Sequence, residues 1–388
     1  MGLSCGKWHL TWFIEKALGG YMRIILSGGG TGGHIMPALA IADELKKTEG
    51  VEIFYVGKEG SLEEELVQRE GIKFYPIPVE GLPRKKISAK TIHSMWSLSQ
   101  GMRACGKILK EIKPDVVIGT GGYVCAPVVL KAQQYRIPTV LQEQNAFPGK
   151  ANRFLAKKAS FVALNFKEAK VYFKRKDNLI YTGNPVRQAF LDKISQDKKD
   201  NREEKIVLSF GGSGGQESTN DAIKEIIKSH DKLPFHLIHI TGRDYYEEFM
   251  EDVEEREDLE ILSFSLEIPN LMDKADVVIA SSSAMTLAEI SALSKASILI
   301  PKAYTAGNHQ VFNGKSYESQ GASVLIYEED LTGEKLYATI EDLLKDDKKR
   351  QSMGQCAHRM CNEEAVKEIA KRILELGSHG KEKEKTNS

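Results

Sequence analysis

Three glycine clusters interrupt the chain where a buried strand would turn into a helix. They are Gly28-Gly29-Gly30-Thr31-Gly32-Gly33-His34, Gly119-Thr120-Gly121-Gly122-Tyr123 and Gly211-Gly212-Ser213-Gly214-Gly215. Each follows an apolar run: Arg23-Ile24-Ile25-Leu26, Asp115-Val116-Val117-Ile118 and Lys205-Ile206-Val207-Leu208-Ser209-Phe210. Glycine lets backbone amides approach a ligand closely, and a helix start carries partial positive charge. Strand, glycine turn and helix in succession make a cradle for phosphate. Three cradles predict two phosphorylated ligands, or one ligand held between two lobes.

His34 directly follows the first cradle, at the start of a helix. A positive helix end disfavours the imidazolium, so the ring is expected neutral near pH 7 and able to take a proton from a hydroxyl. A structural histidine capping the loop is the competing reading. In the second half, Ser281-Ser282-Ser283-Ala284-Met285-Thr286-Leu287-Ala288-Glu289 follows the apolar run Val277 to Ala280. Serines at a helix start offer caps, and the free amides beside them suit phosphate. Glu289, about one turn further on, is placed to accept from both hydroxyls of a ribose; a solvated carboxylate is the alternative. The polar stretch Pro301 to Asn313 carries Asn308, His309, Gln310 and Asn313, whose side chains suit sugar hydroxyls. Arg187, in Gly183-Asn184-Pro185-Val186-Arg187, stands at the change of lobe as a phosphate partner or a hinge ion pair.

Gly28, Gly30 and Gly33 also satisfy G-x-G-x-x-G. A nicotinamide enzyme places Asp or Glu at the end of the second strand, whereas this one ends Val56-Gly57-Lys58. That disfavours NAD and leaves NADP, through Lys58, as a minor option. No Asp-x-Asp and no His-Glu-x-x-His occurs, so no metal and no cofactor is expected. The five cysteines are scattered without Cys-x-x-Cys spacing, which argues for reduced thiols rather than disulfides or zinc.

These groups need a scaffold, and the pattern supplies one. At 388 residues two domains are expected. Strand and helix patterns alternate, as in a parallel, doubly wound α/β sheet, and the rhythm restarts after residue 190. The charged stretch Asp192 to Glu204 reads as a surface connection. A helix is expected from Pro37 to Lys47. The reading divides the chain into an extension (1–21), a first domain (22–186), a second domain (187–361), a helix (362–377) returning toward the first domain, and a disordered tail (378–388). Lys plus Arg equals Asp plus Glu at 54 each, which gives no argument for nucleic acid. No apolar run reaches the roughly 20 residues that cross a bilayer. A basic loop, Pro83-Arg84-Lys85-Lys86 to Lys90, precedes a helix with Met95 and Trp96, a composition able to touch anionic lipid.

Taken in order, Ser27 to His34, Gly119 to Tyr123, Gln142-Glu143-Gln144-Asn145-Ala146-Phe147-Pro148-Gly149, Thr182 to Arg187, Phe210 to Gly215, Ala284 to Glu289 and Asn308 to Asn313 resemble the MurG family. These are bacterial GlcNAc transferases of peptidoglycan synthesis with the GT-B fold, two Rossmann-like domains facing a cleft. The resemblance implies inverting transfer of GlcNAc from UDP-GlcNAc to the C4 hydroxyl of the muramoyl sugar of lipid I, giving lipid II. It implies work at the inner leaflet of the cytoplasmic membrane, as a peripheral protein. Alternatives are another GT-B UDP-sugar enzyme and a non-catalytic nucleotide-binding scaffold.

By the same resemblance His34 is the base. Thr31, Gly32, Gly33, Asn145, Arg187, Ser213, Ser265, Ala284, Met285, Thr286, Leu287, Ala288, Glu289 and Gln310 would hold the donor. Gly30, Gly121, Gly122 and Tyr123 would hold the acceptor. Phe264-Ser265 departs from the family's pattern beside the uracil, so a backbone contact is expected there. His309 replaces a second Gln of some relatives.

Overall fold

The computed structural model describes residues 21–81, 89–194, 204–212 and 214–386. The N-terminal extension apart from Tyr21, the basic loop at 82–88, most of the charged connection and Ser213 therefore lie outside the described residues.

The strands β1 (Met22–Gly28), β2 (Val51–Lys58), β3 (Lys73–Ile77), β4 (Val116–Gly121), β5 (Thr139–Glu143), β6 (Phe161–Leu164) and β7 (Leu179–Tyr181) form one sheet. Its order is β3-β2-β1-β4-β5-β6-β7. A second sheet contains β8 (Ile206–Phe210), β9 (His236–Ile240), β10 (Leu259–Leu262), β11 (Val277–Ala280), β12 (Ala296–Leu299) and β13 (Val324–Leu325). Its order is β10-β9-β8-β11-β12-β13. Every pairing is parallel. The expected α/β architecture of two doubly wound domains is the one found. Parallel sheets are covered on both faces, so their strands need nearly continuous apolar runs. Val116-Val117-Ile118 and Val277-Val278-Ile279-Ala280 are such runs, and all are buried.

Side chains alternate across a strand. In β1, Ile24 and Leu26 pack with Ile35, Leu39 and Ile41 of the helix Gly32–Lys46. Ile25 faces the opposite layer, with Val117, Val128 and Leu141. The C-terminal helix Ala365–Thr386 adds Ile369, Ala370 and Ile373 to the first of these layers, so the chain ends on the lobe where it began. The two crossings between lobes are tied together. Asn362 Nδ2 donates to the Thr182 carbonyl at 2.7 Å. Gly183 sits at φ +77, and a Cβ there would lie 2.9 Å from that of Asn362.

Strand order reverses between β1 and β4 and again between β8 and β11. Open α/β sheets bind ligands beyond the carboxyl ends of their strands at such points. The first two glycine clusters follow β1 and β4. The third follows β8, and Ser281-Ser282-Ser283 follows β11.

Two boundaries differ from expectation. The first helix starts at Gly32 rather than Pro37, because the amides of His34 and Ile35 already donate to the Thr31 carbonyl, at 3.0 and 3.3 Å. Pro37 therefore lies inside the helix, and His34 lies in its first turn. The segment from residue 378, expected to be disordered, continues the last helix to Thr386. Its Lys and Glu residues are good helix formers.

His239 lies within β9, fully buried, its ring centroid 5.0 Å from that of Phe249. Loss of solvation lowers its pKa to about 3, against a smaller opposing contribution from the Ser209 backbone. An unfolded chain protonates this ring below its ordinary value of 6.5, while the folded protein does not until about 3. Stability is therefore undiminished above pH 6.5 and is lost as pH falls toward 3. Calorimetry across that window should show the second lobe's transition temperature falling, and His239→Leu should flatten the slope.

Candidate active site

The two glycine loops of the first lobe interlock. A Cβ on Gly122 (φ +80) would lie 2.2 Å from the Gly29 carbonyl oxygen, and one on Gly121 would lie 2.6 Å from His34 Nδ1. Gly121 has φ +111 and ψ −174, a region only glycine occupies without strain. These glycines allow one loop to close on the other. Gly30 (φ +83) faces the Tyr123 ring, which a Cβ would approach to 3.1 Å. Gly32 is different: nothing lies within 4 Å of a Cβ there, and Gly33 would meet only Thr31 Oγ1, at 3.7 Å. Of the expected glycine contacts, Gly32 and Gly33 leave open space for a ligand, while Gly121 and Gly122 are packed against neighbouring chain. Beneath the loop the buried Glu63 accepts from the Gly30 amide at 3.4 Å and from the Lys58 amide at 3.3 Å.

His34 is held by this closure. Its Nδ1 lies 3.2 Å from the Thr120 carbonyl oxygen, and Thr120 Oγ1 donates to the His34 carbonyl at 2.7 Å. A carbonyl oxygen can only accept, so Nδ1 carries the proton and Nε2 presents a lone pair. Loss of solvation lowers the pKa. The Gln144 side chain opposes this, His309 across the cleft adds to it, and the Thr120 backbone weakly opposes it. The ring is thus a neutral imidazole with its tautomer set by the second glycine loop.

A run of amides crosses from this point to the other lobe. Gln144 Nε2 donates to the Thr120 carbonyl and to Gln142 Oε1. Gln142 Nε2 donates to Asn184 Oδ1 at 2.9 Å, and Asn184 Nδ2 to the Ala284 carbonyl at 3.2 Å. Glu143, between the glutamines, is buried. It accepts from the Asn145 and Gly149 amides at 3.0 and 3.1 Å and from Asn152 Nδ2 at 2.9 Å. Burial pushes its pKa up, and these donors hold it back.

In the second lobe the helix Ala284–Ala292 points its start at the cleft. Ser283 caps it, accepting from the Thr286 amide at 3.3 Å. The cap takes the Thr286 amide, and the amides of Ala284 and Met285 stand at the helix start, where the helix itself supplies no acceptor. Leu287 and Ala288 pack into the core, and the Leu287 amide donates to the Ser283 carbonyl at 3.0 Å. Glu289, one turn in, is buried, and its Oε1 accepts from Arg187 Nη2 and Nε at 2.7 and 3.1 Å. Burial raises its pKa, and the Arg187 charge and hydrogen bonds oppose the rise. Glu289 Oε2 accepts no hydrogen bond among the described residues.

Gln310 is buried and uses Oε1 to accept the Lys302 amide at 3.0 Å, which leaves its Nε2 to donate elsewhere. Ser265 Oγ accepts from the Glu267 amide at 3.0 Å. The neighbouring Phe264 is 39% exposed, and the Arg243 guanidinium lies 4.5 Å from its ring centroid. Sequence reasoning passed over Lys302, whose Nζ donates to the Gly215 carbonyl at 2.5 Å and so puts a half-buried cation beside the third glycine loop. It also passed over Thr120 and Gln144 as supports of His34. A polar run, Gln142 to Asn145, that extends an otherwise apolar strand into a switch point is the signal that could have found the latter.

Gly121→Ala should cost roughly 1–3 kcal/mol of first-lobe stability, since it adds a forbidden backbone conformation to a contact with the His34 ring. Gly60→Ala is the control: its φ is +64 but nothing lies within 4 Å of a Cβ. Denaturant titration should show a smaller loss there, about 1–2 kcal/mol.

Comparison with known proteins agrees with this geometry. The glycosyltransferase family 28 N-terminal domain matches residues 24–164, and the C-terminal domain of the same family matches residues 206–373. The UDP-N-acetylglucosamine–N-acetylmuramyl-(pentapeptide) pyrophosphoryl-undecaprenol N-acetylglucosamine transferase of Acetivibrio thermocellus is 43% identical over 344 residues, covering 87% of this chain and 93% of that one. Among solved structures, MurG of Acinetobacter baumannii superposes with a TM-score of 0.73 at 21% identity, over 91% of this chain and 99% of that one. A putative UDP-N-acetylglucosamine 2-epimerase from Listeria monocytogenes gives 0.65 at 16% identity, over 90% and 95%. At such identities the two structures speak for the fold alone.

Proposed function

The chain belongs to glycosyltransferase family 28, and from that membership we propose that it transfers GlcNAc from UDP-GlcNAc to the C4 hydroxyl of the muramoyl sugar of lipid I, with inversion. The observation that carries the reading is His34: a neutral imidazole whose Nδ1 is engaged by the Thr120 carbonyl, opposite the start of a capped helix in the other lobe.

The chemistry is one displacement. His34 Nε2 takes the proton of the acceptor hydroxyl as its oxygen attacks C1 of GlcNAc. The bond from C1 to the β-phosphate oxygen breaks, and UDP leaves with the electron pair. Attack on the face opposite the leaving group turns the α-linked donor into a β-1,4 product. The charge developing on UDP is met by the Ala284 and Met285 amides, the third glycine loop with Ser213, and the helix end. Glu289 Oε2 is placed for the ribose hydroxyls while Oε1 stays with Arg187. Gln310 Nε2 and Asn145 serve the sugar, the Ser265 backbone beside Phe264 the uracil, and the Gly32-Gly33 turn the reacting centre. Gly30 and Tyr123 border the acceptor's pyrophosphate.

With a polyprenyl-linked acceptor and a nucleotide-sugar donor, we propose that the reaction runs at the cytoplasmic face of the cell membrane. Among the described residues no helix is long and apolar enough to cross a bilayer, so the contact we propose is peripheral. The sequence Arg84-Lys85-Lys86 supplies charge suited to anionic lipid. The epimerase likeness rests on fold alone and is not favoured over the transferase relatives.

Turnover of labelled UDP-GlcNAc with a lipid I analogue tests the reading directly, and it should proceed in excess chelator. His34→Ala should lower kcat on the order of 10²-fold or more with little change in UDP affinity. In the parent enzyme the acid limb of kcat should lie below pH 6.5, because the ring's pKa is lowered. Glu289→Ala should instead weaken UDP binding, read by calorimetry. An unchanged kcat in His34→Ala would remove this residue from the mechanism.

A further inference from the structure

Asn313 was expected near the sugar hydroxyls, but its side chain is already fully engaged. It is completely buried, in the helix His309–Ser319 of the second lobe. Its Oδ1 accepts from the Ala146 amide at 2.9 Å. Its Nδ2 donates to Asn145 Oδ1 at 3.1 Å and to the Ser282 carbonyl at 3.2 Å. A carboxamide has two N–H groups, and both are used.

The three partners belong to different parts of the site. Asn145 and Ala146 lie on the first-lobe loop after β5. Ser282 lies two residues before Ala284, where the anion-binding helix begins. One side chain therefore joins the loop that carries Asn145 to the strand end that aims the helix. The loop has few other ways to move. Asn145 Nδ2 donates to Glu143 Oε1 at 3.2 Å, and Glu143 holds the loop's far end through the Gly149 amide. Beside the amide contact, the Phe147 ring stacks on Phe312, with centroids 5.0 Å apart and planes at 18°. Gly307 (φ +67) admits this stack, since a Cβ there would stand 3.1 Å from Phe147.

We propose that Asn313 is a positioning residue: it sets the register of the two lobes, so that Asn145 and His34 face the phosphate-binding helix start, and it does not itself contact the sugar. Asn145 gives its carbonyl oxygen to Asn313 and one Nδ2 hydrogen to Glu143, which fixes the loop's position against the second lobe. The kinetic part of this proposal rests on the transferase reading; the structural part does not.

The test uses the full chain with Asn313→Ala and Asn313→Asp. The second variant turns a carboxylate oxygen toward two carbonyl-type oxygens. Calorimetry with UDP and with UDP-GlcNAc should show both affinities within about 2-fold of the parent, while kcat falls about 10- to 100-fold, as for a misplacement of reacting groups near 1 Å. Spin labels at Lys47 and Lys228, one on each lobe, should report a broader inter-lobe distance distribution. Phe312→Ala, which removes the neighbouring stack at a partly exposed site, should broaden it in the same direction. That variant carries the test if substitution of Asn313 prevents folding.

A loss of UDP-GlcNAc affinity of 10-fold or more, with UDP affinity and the inter-lobe distance distribution both unchanged, would make Asn313 a sugar ligand and overturn the proposal. So would an unchanged distance distribution. If the parent protein fails to turn over UDP-GlcNAc, the transferase reading falls, and the distance measurements still decide whether Asn313 braces the lobes.

Discussion

Two loops of the first lobe approach each other more closely than any side chain would allow. Where Gly122 passes the Gly29 carbonyl there is no room for a Cβ, and where Gly121 passes the His34 ring there is none either. This closeness brings the Thr120 carbonyl within reach of His34 Nδ1 and puts the imidazole lone pair on Nε2. It also sets Thr120 Oγ1 against the His34 carbonyl, so the first helical turn and the second loop hold each other. Without it the histidine would be a half-buried residue at a helix start with no defined tautomer. The glycines here act chiefly through what they exclude from between two backbones, and only Gly32 and Gly33 leave room for a ligand.

The second lobe contributes fixed dipoles and buried charge. A capped helix start, a cation beside a glycine loop and an Arg187–Glu289 pair converge near the same cleft. The pair is half-dry: Glu289 is enclosed while Arg187 keeps partial access to water. Burial raises the Glu289 pKa, and the guanidinium works against that rise. One carboxylate oxygen is committed to Arg187, and the other accepts no hydrogen bond among the described residues. The amides of Gln142, Gln144, Asn184 and Asn313 carry the connection between lobes. A buried amide that lost its partner would be costly to leave unsatisfied, which favours one mutual arrangement of the lobes over others.

Much of this was legible from residue order. The apolar runs before the glycine clusters are the central strands β1, β4 and β8, because a parallel strand covered on both faces admits little else. Ser283 as a cap and His34 at a helix start follow from local backbone chemistry, which depends only on near neighbours. Local rules failed where a longer-range partner intervened. Pro37 suggested a helix start, but the Thr31 carbonyl had already begun the helix one turn earlier. The Lys- and Glu-rich end suggested disorder by composition, yet it extends the helix that Ile369 and Ile373 dock on the first lobe.

Sequence alone determined the doubly wound architecture, the four strand ends that carry the glycine and serine motifs and the family they resemble, since each depends on periodicity and on residue types a few positions apart. Tertiary structure alone decided which polar side chains remain available. Asn145, Gln310 and Asn313 are chemically equivalent or nearly so as amides, and nothing in their spacing distinguishes them. Packing of the first-lobe loop on the second lobe, together with the Ser282 carbonyl of its own lobe, engages both ends of the Asn313 amide, while Asn145 and Gln310 each keep an N–H that donates to no described residue. Hydrogen-bond capacity is a local property of a side chain, but how it is used depends also on residues as far as 168 positions away.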